Sequence, residues 1–398
     1  MRVLYVLGSF YPAQIGGPNN TILWQAKALQ NAGHVVSVAA LKLGLDEKLL
    51  SQHDIRLNHK SVIEGVETYF FDYSSNIYLC PKLYIWLWKN AKNYDRICLT
   101  SAFFPLTWFA AIVSILQGIP FNIAPRGELK ENALRIGFYK KWLFWNLFLK
   151  RLYSHARFVL VTATDELLQT QKHFEPSTHF RLVPNYIDLS TRPELTVDKI
   201  ASKRDILFVG RLHPIKAIDR LIAAYSLLPP NIALTNNLLI AGQGSDEYKG
   251  RLQAEAGKSK YQKNILFLGH VEGNGKEELY KNARVLVLPS HTENFGNVII
   301  EALSCSTPVI ASTNTPWESL AEKKCGAWID NSPEAIAESL VEILSLDDSK
   351  YSELALNARS HVLQNYSIQS HQDEIERLII SAHTQSVLSD SNESEEAK

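Results

Sequence analysis

The sequence has few cysteines for its 398 residues: Cys80, Cys98, Cys305 and Cys325. No two of them form a Cys-x-x-Cys pair, and none has a histidine at the spacing of zinc ligands. This pattern argues against a disulfide framework and against a metal site, and it fits a reducing compartment.

The chain also lacks a charge surplus, because 41 Lys and Arg residues balance 41 Asp and Glu residues. A neutral chain has no overall attraction to nucleic acid, so no nucleic-acid partner is expected. The first residues, MRVLYVLGSFYP, lack the longer apolar core and the small-residue cleavage site of a signal peptide. We therefore expect a cytoplasmic protein.

Residues 97–125 carry no charge, and this length could cross a bilayer. Prolines, a glycine and polar residues interrupt it, however. The stretch is better interpreted as a strand over Ile97–Thr100, a helix over Pro105–Gln117 and a strand over Phe121–Ala124, all buried on both faces.

Strands and helices alternate in both halves of the chain, which predicts an α/β fold with two doubly wound parallel sheets. The predicted domains are an N-terminal domain over 1–188 and a C-terminal domain over 189–368. A helix over 369–385 is expected to pack back toward the first domain, and an acidic tail over 386–398 to be disordered. The polar segment 188–203 is interpreted as the linker.

The most informative motif is the segment from His291 to Glu301, HTENFGNVIIE. Glu293 lies in a loop after a predicted strand, and Glu301 lies in the helix that follows. Candidate ligand-binding residues at the helix start are Asn294, Phe295, Gly296 and Asn297. Backbone N–H groups at such a start can bind phosphate, and the two carboxylates can accept hydrogen bonds from sugar hydroxyls.

A second motif, GRLHPIK, follows the strand that ends at Val209. Gly210 is a flexible residue, and Arg211 and Lys216 come just before the next helix. A diphosphate leaving group concentrates negative charge that these two cations can neutralise. Taken alone, the same residues could be surface cations.

A glycine pair, Gly16-Gly17, follows the first strand, where a ligand could approach the backbone closely. It is not the dinucleotide fingerprint G-x-G-x-x-G, so an oxidoreductase is the least favoured class. A simple turn explains the pair equally well.

Together these motifs resemble the family 4 glycosyltransferases of the GT-B fold, over nearly the whole chain. The resemblance implies two Rossmann-like domains that face each other across a cleft. It assigns the acceptor side to the domain over 1–188 and nucleotide-sugar binding to the domain over 189–368. It implies retention of anomeric configuration, no cofactor and no metal, with a nucleotide-sugar as co-substrate. It assigns donor-sugar hydroxyls to Glu293, the ribose to Glu301, the diphosphate to Arg211 and Lys216, and the nucleotide-side loop to Gly242 and Gly244.

The sequence departs from the family pattern at several positions. Tyr186 and Ser306 stand where glycines are usual, and Leu99 and Ser101 stand where many relatives carry histidines. Arg126, in a Pro-Arg-Gly-Glu segment, occupies the place of another family histidine and is a candidate for contact with phosphate or acceptor. The donor side therefore matches the family more closely than the acceptor side.

The segment 134–157 carries six Lys and Arg residues, no acid and several aromatics. Two interpretations stay open: a basic amphipathic helix that lies on an anionic membrane, and a helix whose aromatic face packs on the sheet. The aromatic run Tyr84, Trp86 and Trp88 is interpreted as helix packing.

The leading hypothesis is a hexosyltransferase that extends a glycan or a lipid-linked glycan in bacterial surface polysaccharide synthesis, such as O-antigen of lipopolysaccharide, capsule or exopolysaccharide. The protein would be cytoplasmic or peripheral on the inner face of the plasma membrane. Two alternatives stay open: a nucleotide-sugar epimerase on the same fold, and a degenerate subunit that binds nucleotide or glycan without turnover.

Overall fold

The structure is a computed structural model that describes residues 1–13, 17–74, 78–135, 137–190, 192 and 194–380, with the backbone alone at 17 and 18. Gly16, the end of the predicted C-terminal helix at 381–385 and the acidic tail over 386–398 lie outside these residues.

The chain divides into two compact units. Unit 1 comprises residues 1–186 and the C-terminal segment that starts at His371, and unit 2 comprises residues 187–370. The polypeptide therefore passes from one unit to the other twice.

Unit 1 contains an eight-stranded sheet with the strand order β3-β4-β2-β1-β5-β6-β7-β8. Its strands are β1 (Arg2–Leu7), β2 (Val35–Leu41), β3 (Lys60–Ile63), β4 (Val66–Phe71), β5 (Arg96–Thr100), β6 (Phe121–Ala124), β7 (Val159–Val161) and β8 (Phe180–Leu182). Its helices are α1 (Gly17–Asn31), α2 (Glu47–Gln52), α3 (Pro81–Asn90), α4 (Pro105–Gln117), α5 (Glu131–Arg135), α6 (Phe138–Phe144), α7 (Lys150–Tyr153) and α8 (Thr164–Thr170).

Unit 2 contains a six-stranded parallel sheet with the order β11-β10-β9-β12-β13-β14, the doubly wound pattern of nucleotide-binding folds. Its strands are β9 (Arg204–Val209), β10 (Leu238–Ala241), β11 (Ile265–Gly269), β12 (Ala283–Leu288), β13 (Val309–Ser312) and β14 (Gly326–Ile329). Its helices are α9 (Val197–Ala201), α10 (Ile218–Leu227), α11 (Pro230–Ala233), α12 (Asp246–Gly257), α13 (Gly273–Asn282), α14 (Asn297–Ser304), α15 (Ser319–Glu322), α16 (Pro333–Leu344) and α17 (Asp348–Asn365).

A last helix, α18 (Ile368–Ile380), begins in unit 2 and contains a break at His371 (φ −125°, ψ 21°). Beyond the break the helix belongs to unit 1, where Glu376 Oε1 lies 2.8 Å from His34 Nε2. In the same unit, Arg96 donates to the carbonyl of Ile379 at 2.8 Å. These contacts tie the end of the described chain to the first sheet.

The apolar runs become buried central strands, as the sequence predicts. Every residue of β5, β6 and β12 is buried, because helices cover both faces of the sheets. The two sheets confirm the predicted α/β class. One strand differs, since β3 runs antiparallel to β4 at the edge of the first sheet.

The uncharged stretch 97–125 forms strand, helix and strand, as expected. Helix α4 ends at Gly118, which adopts the left-handed conformation with φ 69°. Among the described residues, no helix combines the length and the apolarity needed to cross a membrane.

The linker prediction is wrong over most of 188–203. Residues from 187 onward belong to unit 2, where Thr196 caps α9 and Ile200 is buried. Lys203 is 1% exposed, and its ammonium donates to the carbonyls of Tyr280 and Cys305 and to Thr307 Oγ1 at 2.7–3.1 Å. The buried side chain of Ile200 and these hydrogen bonds of Lys203 hold the segment on unit 2.

The segment 134–157 is not one helix. Gly137, with φ 70°, begins α6, and a π-helical turn over Trp145–Leu149 separates α6 from α7. Trp145, Leu149 and Tyr153 are buried in the core. Other apolar side chains of the segment, including Trp142 and Leu147, are exposed. The packing interpretation is therefore confirmed for the buried residues, and the membrane interpretation stays a prediction.

Candidate functional site

The candidate donor residues lie in the loops that follow the parallel strands β9, β10 and β12. Backbone hydrogen bonds join these loops to each other and to β11. The bonds run from Gly210 N to Ala241 O (3.0 Å), Leu212 N to Gln243 O (2.7 Å), Gly242 N to Gly269 O (2.7 Å) and His291 N to Ile215 O (2.8 Å). The carboxyl edge of the sheet is therefore a connected framework, where open α/β sheets bind ligands.

Gly242 and Gly244 allow this framework to close. A Cβ atom on Gly242 would lie 1.8 Å from the carbonyl oxygen of Gly210. A Cβ atom on Gly244 would lie 2.1 Å from the carbonyl oxygen of Leu212. Glycine is therefore needed at both positions, because the loops after β9 and β10 approach each other too closely for a side chain.

Lys216 and Glu293 form an ion pair at this edge. Lys216 ends a 3-10 turn over Pro214–Lys216, and Glu293 follows β12. Ser290 Oγ also donates to Glu293 at 2.8 Å. The two side chains are only 17% and 11% exposed, so the pair is largely shielded from water.

Arg211 is exposed in the same loop and has no carboxylate partner among the described residues. Burial lowers the pKa of His213, and the positive charges of Arg211 and Lys216 lower it further. The loop after β9 therefore carries a positive potential suited to an anion.

Gly296 precedes α14 and adopts φ 89°, a conformation that favours glycine. The ring of Phe295 is buried against Trp317 at 5.1 Å, and the Trp317 indole N–H donates to the carbonyl of Phe295. These contacts fix the turn so that α14 starts at Asn297, with its N–H groups directed out of the helix start.

Glu301 lies on α14 and is 2% exposed. Its Oε2 accepts hydrogen bonds from Lys276 Nζ at 2.6 Å and from the Tyr280 hydroxyl at 2.9 Å. Burial alone would raise the pKa of Glu301, but the charges of Lys276 and Arg192 and these hydrogen bonds outweigh it. The pKa therefore lies below its usual value, and the group stays ionised.

The sequence motifs assigned no role to Lys276 or Tyr280. Their spacing of four residues on α13 places both on one face of that helix. The i, i+4 pair is a signal that could have been used. The sequence does not show which carboxylate the pair contacts, because that depends on the packing of α13 against α14.

Arg126 lies in unit 1, after β6, and adopts φ 55°. Its Nη1 donates to Asn185 Oδ1 at 3.1 Å. Two carboxylates hold the surrounding loop: Glu166 accepts from Gly127 N at 2.5 Å, and Glu128 accepts from Ser101 Oγ and Ala102 N, both at 2.6 Å. The cation therefore sits on a rigid loop.

The structure groups the unit 2 candidates with one another, namely Gly210, Arg211, Lys216, Gly242, Gly244, Glu293, Asn294, Phe295, Gly296, Asn297 and Glu301. Arg126 and Gly17, the first residue of α1, belong to unit 1. Within the described residues, no group of three His, Cys, Asp or Glu side chains is placed to hold a metal ion.

Two family models match the chain. Residues 196–361 match "Glycosyl transferases group 1", and residues 16–186 match "Glycosyl transferase 4-like domain". An uncharacterised glycosyltransferase of Methanocaldococcus jannaschii is 34% identical over 165 residues, 41% of each chain. The O-antigen chain mannosyltransferase B of Escherichia coli is 32% identical over 166 residues, 41% of this chain and 42% of that protein.

A solved structure with the same fold is HepE of Anabaena in complex with UDP-glucose. It superposes with a TM-score of 0.73 at 18% identity, covering 95% of this chain and 98% of that one. The matches to the curated relatives span about two fifths of their length. Since the two family models together cover most of the chain and the two-sheet architecture agrees with them, the chain belongs to the group 1 glycosyltransferases, family 4 of the GT-B fold.

Proposed function

We propose that the protein is a retaining, metal-independent glycosyltransferase that moves a hexose from a nucleotide-diphosphate-sugar to a glycan or lipid-linked glycan. The observation that carries this proposal is the Lys216–Glu293 pair at the carboxyl edge of the second sheet, next to the start of α14. A cation for the diphosphate and a carboxylate for the sugar hydroxyls stand side by side there.

The proposed roles follow from charge. As the bond between the anomeric carbon and the diphosphate oxygen breaks, negative charge grows on the phosphate, and Arg211 and Lys216 stabilise it. Glu293 then accepts hydrogen bonds from the sugar, and Glu301 from the ribose. Arg126 is proposed to contact phosphate or acceptor.

Retention is proposed to follow a same-face route. The acceptor hydroxyl forms its new bond to the anomeric carbon on the face that the diphosphate leaves. The departing phosphate oxygen takes the hydroxyl proton, so no enzyme nucleophile is needed. Two side-chain cations supply the charge neutralisation for which other enzymes use a metal ion.

The proposed setting is bacterial surface polysaccharide synthesis, with the enzyme at the inner face of the plasma membrane. The support is the similarity to a protein named as an O-antigen chain mannosyltransferase. The UDP-glucose bound in the HepE structure supports a nucleotide-sugar donor.

The test is a turnover screen of UDP-, GDP- and ADP-sugars with lipid-linked and soluble glycan acceptors, with nucleoside diphosphate release as the readout. We expect release with one base and one acceptor class, and a product whose anomeric configuration by NMR matches the donor. Binding without release under every acceptor would indicate the degenerate subunit, and free epimerised donor would indicate the epimerase.

A further inference from the structure

Unit 1 exposes a run of large apolar side chains on α6 and the π-helical turn that follows it. The exposed residues are Phe138, Tyr139, Trp142, Leu143, Leu147 and Phe148. Tyr139 is 83% exposed, Leu147 74% and Trp142 55%. Most protein surfaces expose large apolar side chains singly, whereas α6 and the turn expose six of them in succession.

The neighbouring helices extend this surface. Phe144 packs on Trp108 of α4 at 4.5 Å, and Leu116, two helical turns further along α4, is 67% exposed. The side chain of Gln117 donates to the carbonyl of Trp88 on α3 at 2.8 Å, and Trp88 is 53% exposed. We call the exposed side of α3, α4, α6, the π-helical turn and α7 the apolar-basic face.

The sequence of this part of the chain has a surplus of basic residues, two of which, Lys130 and Lys150, pair with acids outside it. Residues 73–157 contain twelve Lys and Arg residues and three acids, although the whole chain is neutral. All three acids have partners: Glu131 pairs with Lys172, and Glu128 accepts hydrogen bonds from Ser101 and Ala102 in the loop after β5. The remaining one, Asp95, accepts from the backbone N–H of Arg2.

Several exposed cations beside the apolar side chains are available to bind an anion. Lys89 on α3, Lys140 on α6 and Arg151 on α7 are exposed, and none has a carboxylate partner among the described residues. Trp145 and Leu149 anchor the same segment in the core. The face is therefore held in place by buried residues while its apolar tips and its cations face outward.

We propose that the apolar-basic face binds the surface of an anionic lipid bilayer, with the aromatic and leucine tips at the headgroup boundary and the cations at lipid phosphates. A second copy of the chain fits less well, since a symmetric dimer would bring two basic faces together. This proposal deepens the proposed function by naming its partner surface. It is tested without donor or acceptor, so its failure and the failure of sugar transfer are distinguishable.

The experiment is sedimentation of the full chain with vesicles of phosphatidylcholine alone and with added phosphatidylglycerol, at low and high salt. We expect binding to the anionic vesicles that falls as salt rises. The double variant Lys140→Ala/Arg151→Ala should lower the partition coefficient roughly 30-fold, because it removes two cations that attract the anionic surface. Leu147→Ser should lower it at both salt concentrations, because it removes apolar contact.

Matched controls are Lys263→Ala and Leu234→Ser, two exposed positions of unit 2, which should bind as the parent does. Thermal unfolding of every variant shows whether it folds. The proposal is overturned if the folded parent ignores anionic vesicles at low salt, or if the controls lose binding as much as the face variants. It is equally overturned if the face instead joins two copies, seen as a dimer in ultracentrifugation that Leu147→Ser dissociates.

Discussion

Lys216 and Glu293 neutralise each other at the edge of the second sheet, and Ser290 adds a hydrogen bond to the carboxylate. A bound diphosphate would compete with Glu293 for the lysine and leave the carboxylate to the sugar hydroxyls. The pair thus holds both groups in place before the ligand arrives, which lowers the entropy cost of binding.

The first prediction concerns Glu293→Gln. The amide keeps the shape of the side chain but loses the charge that strengthens a hydrogen bond to a hydroxyl. A bond to a charged group contributes about 1.5–3 kcal/mol, so kcat/KM should fall roughly 10- to 100-fold. Steady-state kinetics measure this, with thermal unfolding as the control for the fold. Activity equal to that of the parent would remove Glu293 from the site.

Glu301 is almost completely buried, so its ion pair with Lys276 affects the stability of the fold. Its lowered pKa means that its ionised form contributes stability above the unfolded value of about 4.3. This contribution is lost as the pH falls through the folded pKa.

The second prediction follows from this dependence. Lys276→Met leaves a buried carboxylate without the cation that donates to it and should lower the free energy of unfolding at pH 7 by about 3–5 kcal/mol. The loss should shrink toward pH 4, where the carboxylate becomes protonated. Urea unfolding at several pH values measures both effects. Lys281→Met, on the same helix with more exposed partners, should cost about 1 kcal/mol or less. A loss for Lys276→Met that does not change with pH would contradict this account.

At the scale of the elements, the site depends on how closely the loops after β9 and β10 approach each other. The third prediction compares two glycines of unit 2. Gly244→Ala would push against the carbonyl of Leu212 and should destabilise the protein by about 1–3 kcal/mol, as overpacking does. Gly250→Ala, on α12 with nothing within 4 Å, should be neutral or stabilise by up to about 1 kcal/mol.

Denaturant midpoints measure the two effects, and donor affinity should fall with Gly244→Ala alone. Equal stability of the two variants would show that the loops do not need their close contact.

The sequence was sufficient to predict elements whose apolar runs end at clear signals. Helix α4 starts at Pro105 and ends before Gly118, and α14 follows the glycine at 296. The strands beside them were predicted from apolar residues alone.

What the sequence could not show were pairings between elements. The contact of Lys276 with Glu301 depends on where α13 packs, and the break in the 134–157 segment depends on which aromatics find room in the core. Gly137 was a local signal for the start of α6, but not for the π-helical turn. The linker prediction for 188–203 failed because a polar composition does not reveal that Lys203, within this segment, is buried.

At the scale of the molecule, the two units divide the candidate groups. Arg126 is held on a rigid loop of unit 1, and the cations and carboxylates proposed for the donor stand together in unit 2. Charge is divided as well, since the basic surplus over 73–157 lies in unit 1. One unit therefore carries the proposed donor site, and the other carries the proposed membrane surface.

The fourth prediction concerns metal ions. If Arg211 and Lys216 neutralise the leaving diphosphate, EDTA should leave turnover within about twofold of its untreated value. Added Mg²⁺ should not raise kcat, although it can bind free nucleoside diphosphate. The assay is initial-rate turnover after metal removal, with a metal-dependent glycosyltransferase treated in parallel. Loss of activity on chelation with recovery on Mg²⁺ would contradict the proposed role of the two cations.

The most direct test of the central claim is calorimetric titration with UDP, GDP and ADP of the parent, Lys216→Ala and, as a matched control, Lys263→Ala. The account predicts that one nucleoside diphosphate binds the parent. Lys216→Ala should weaken its Kd roughly 10- to 100-fold, as expected for loss of a charge-assisted bond, while Lys263→Ala leaves it unchanged. The same Kd in the parent and in Lys216→Ala would contradict the claim that the edge of the second sheet binds the diphosphate.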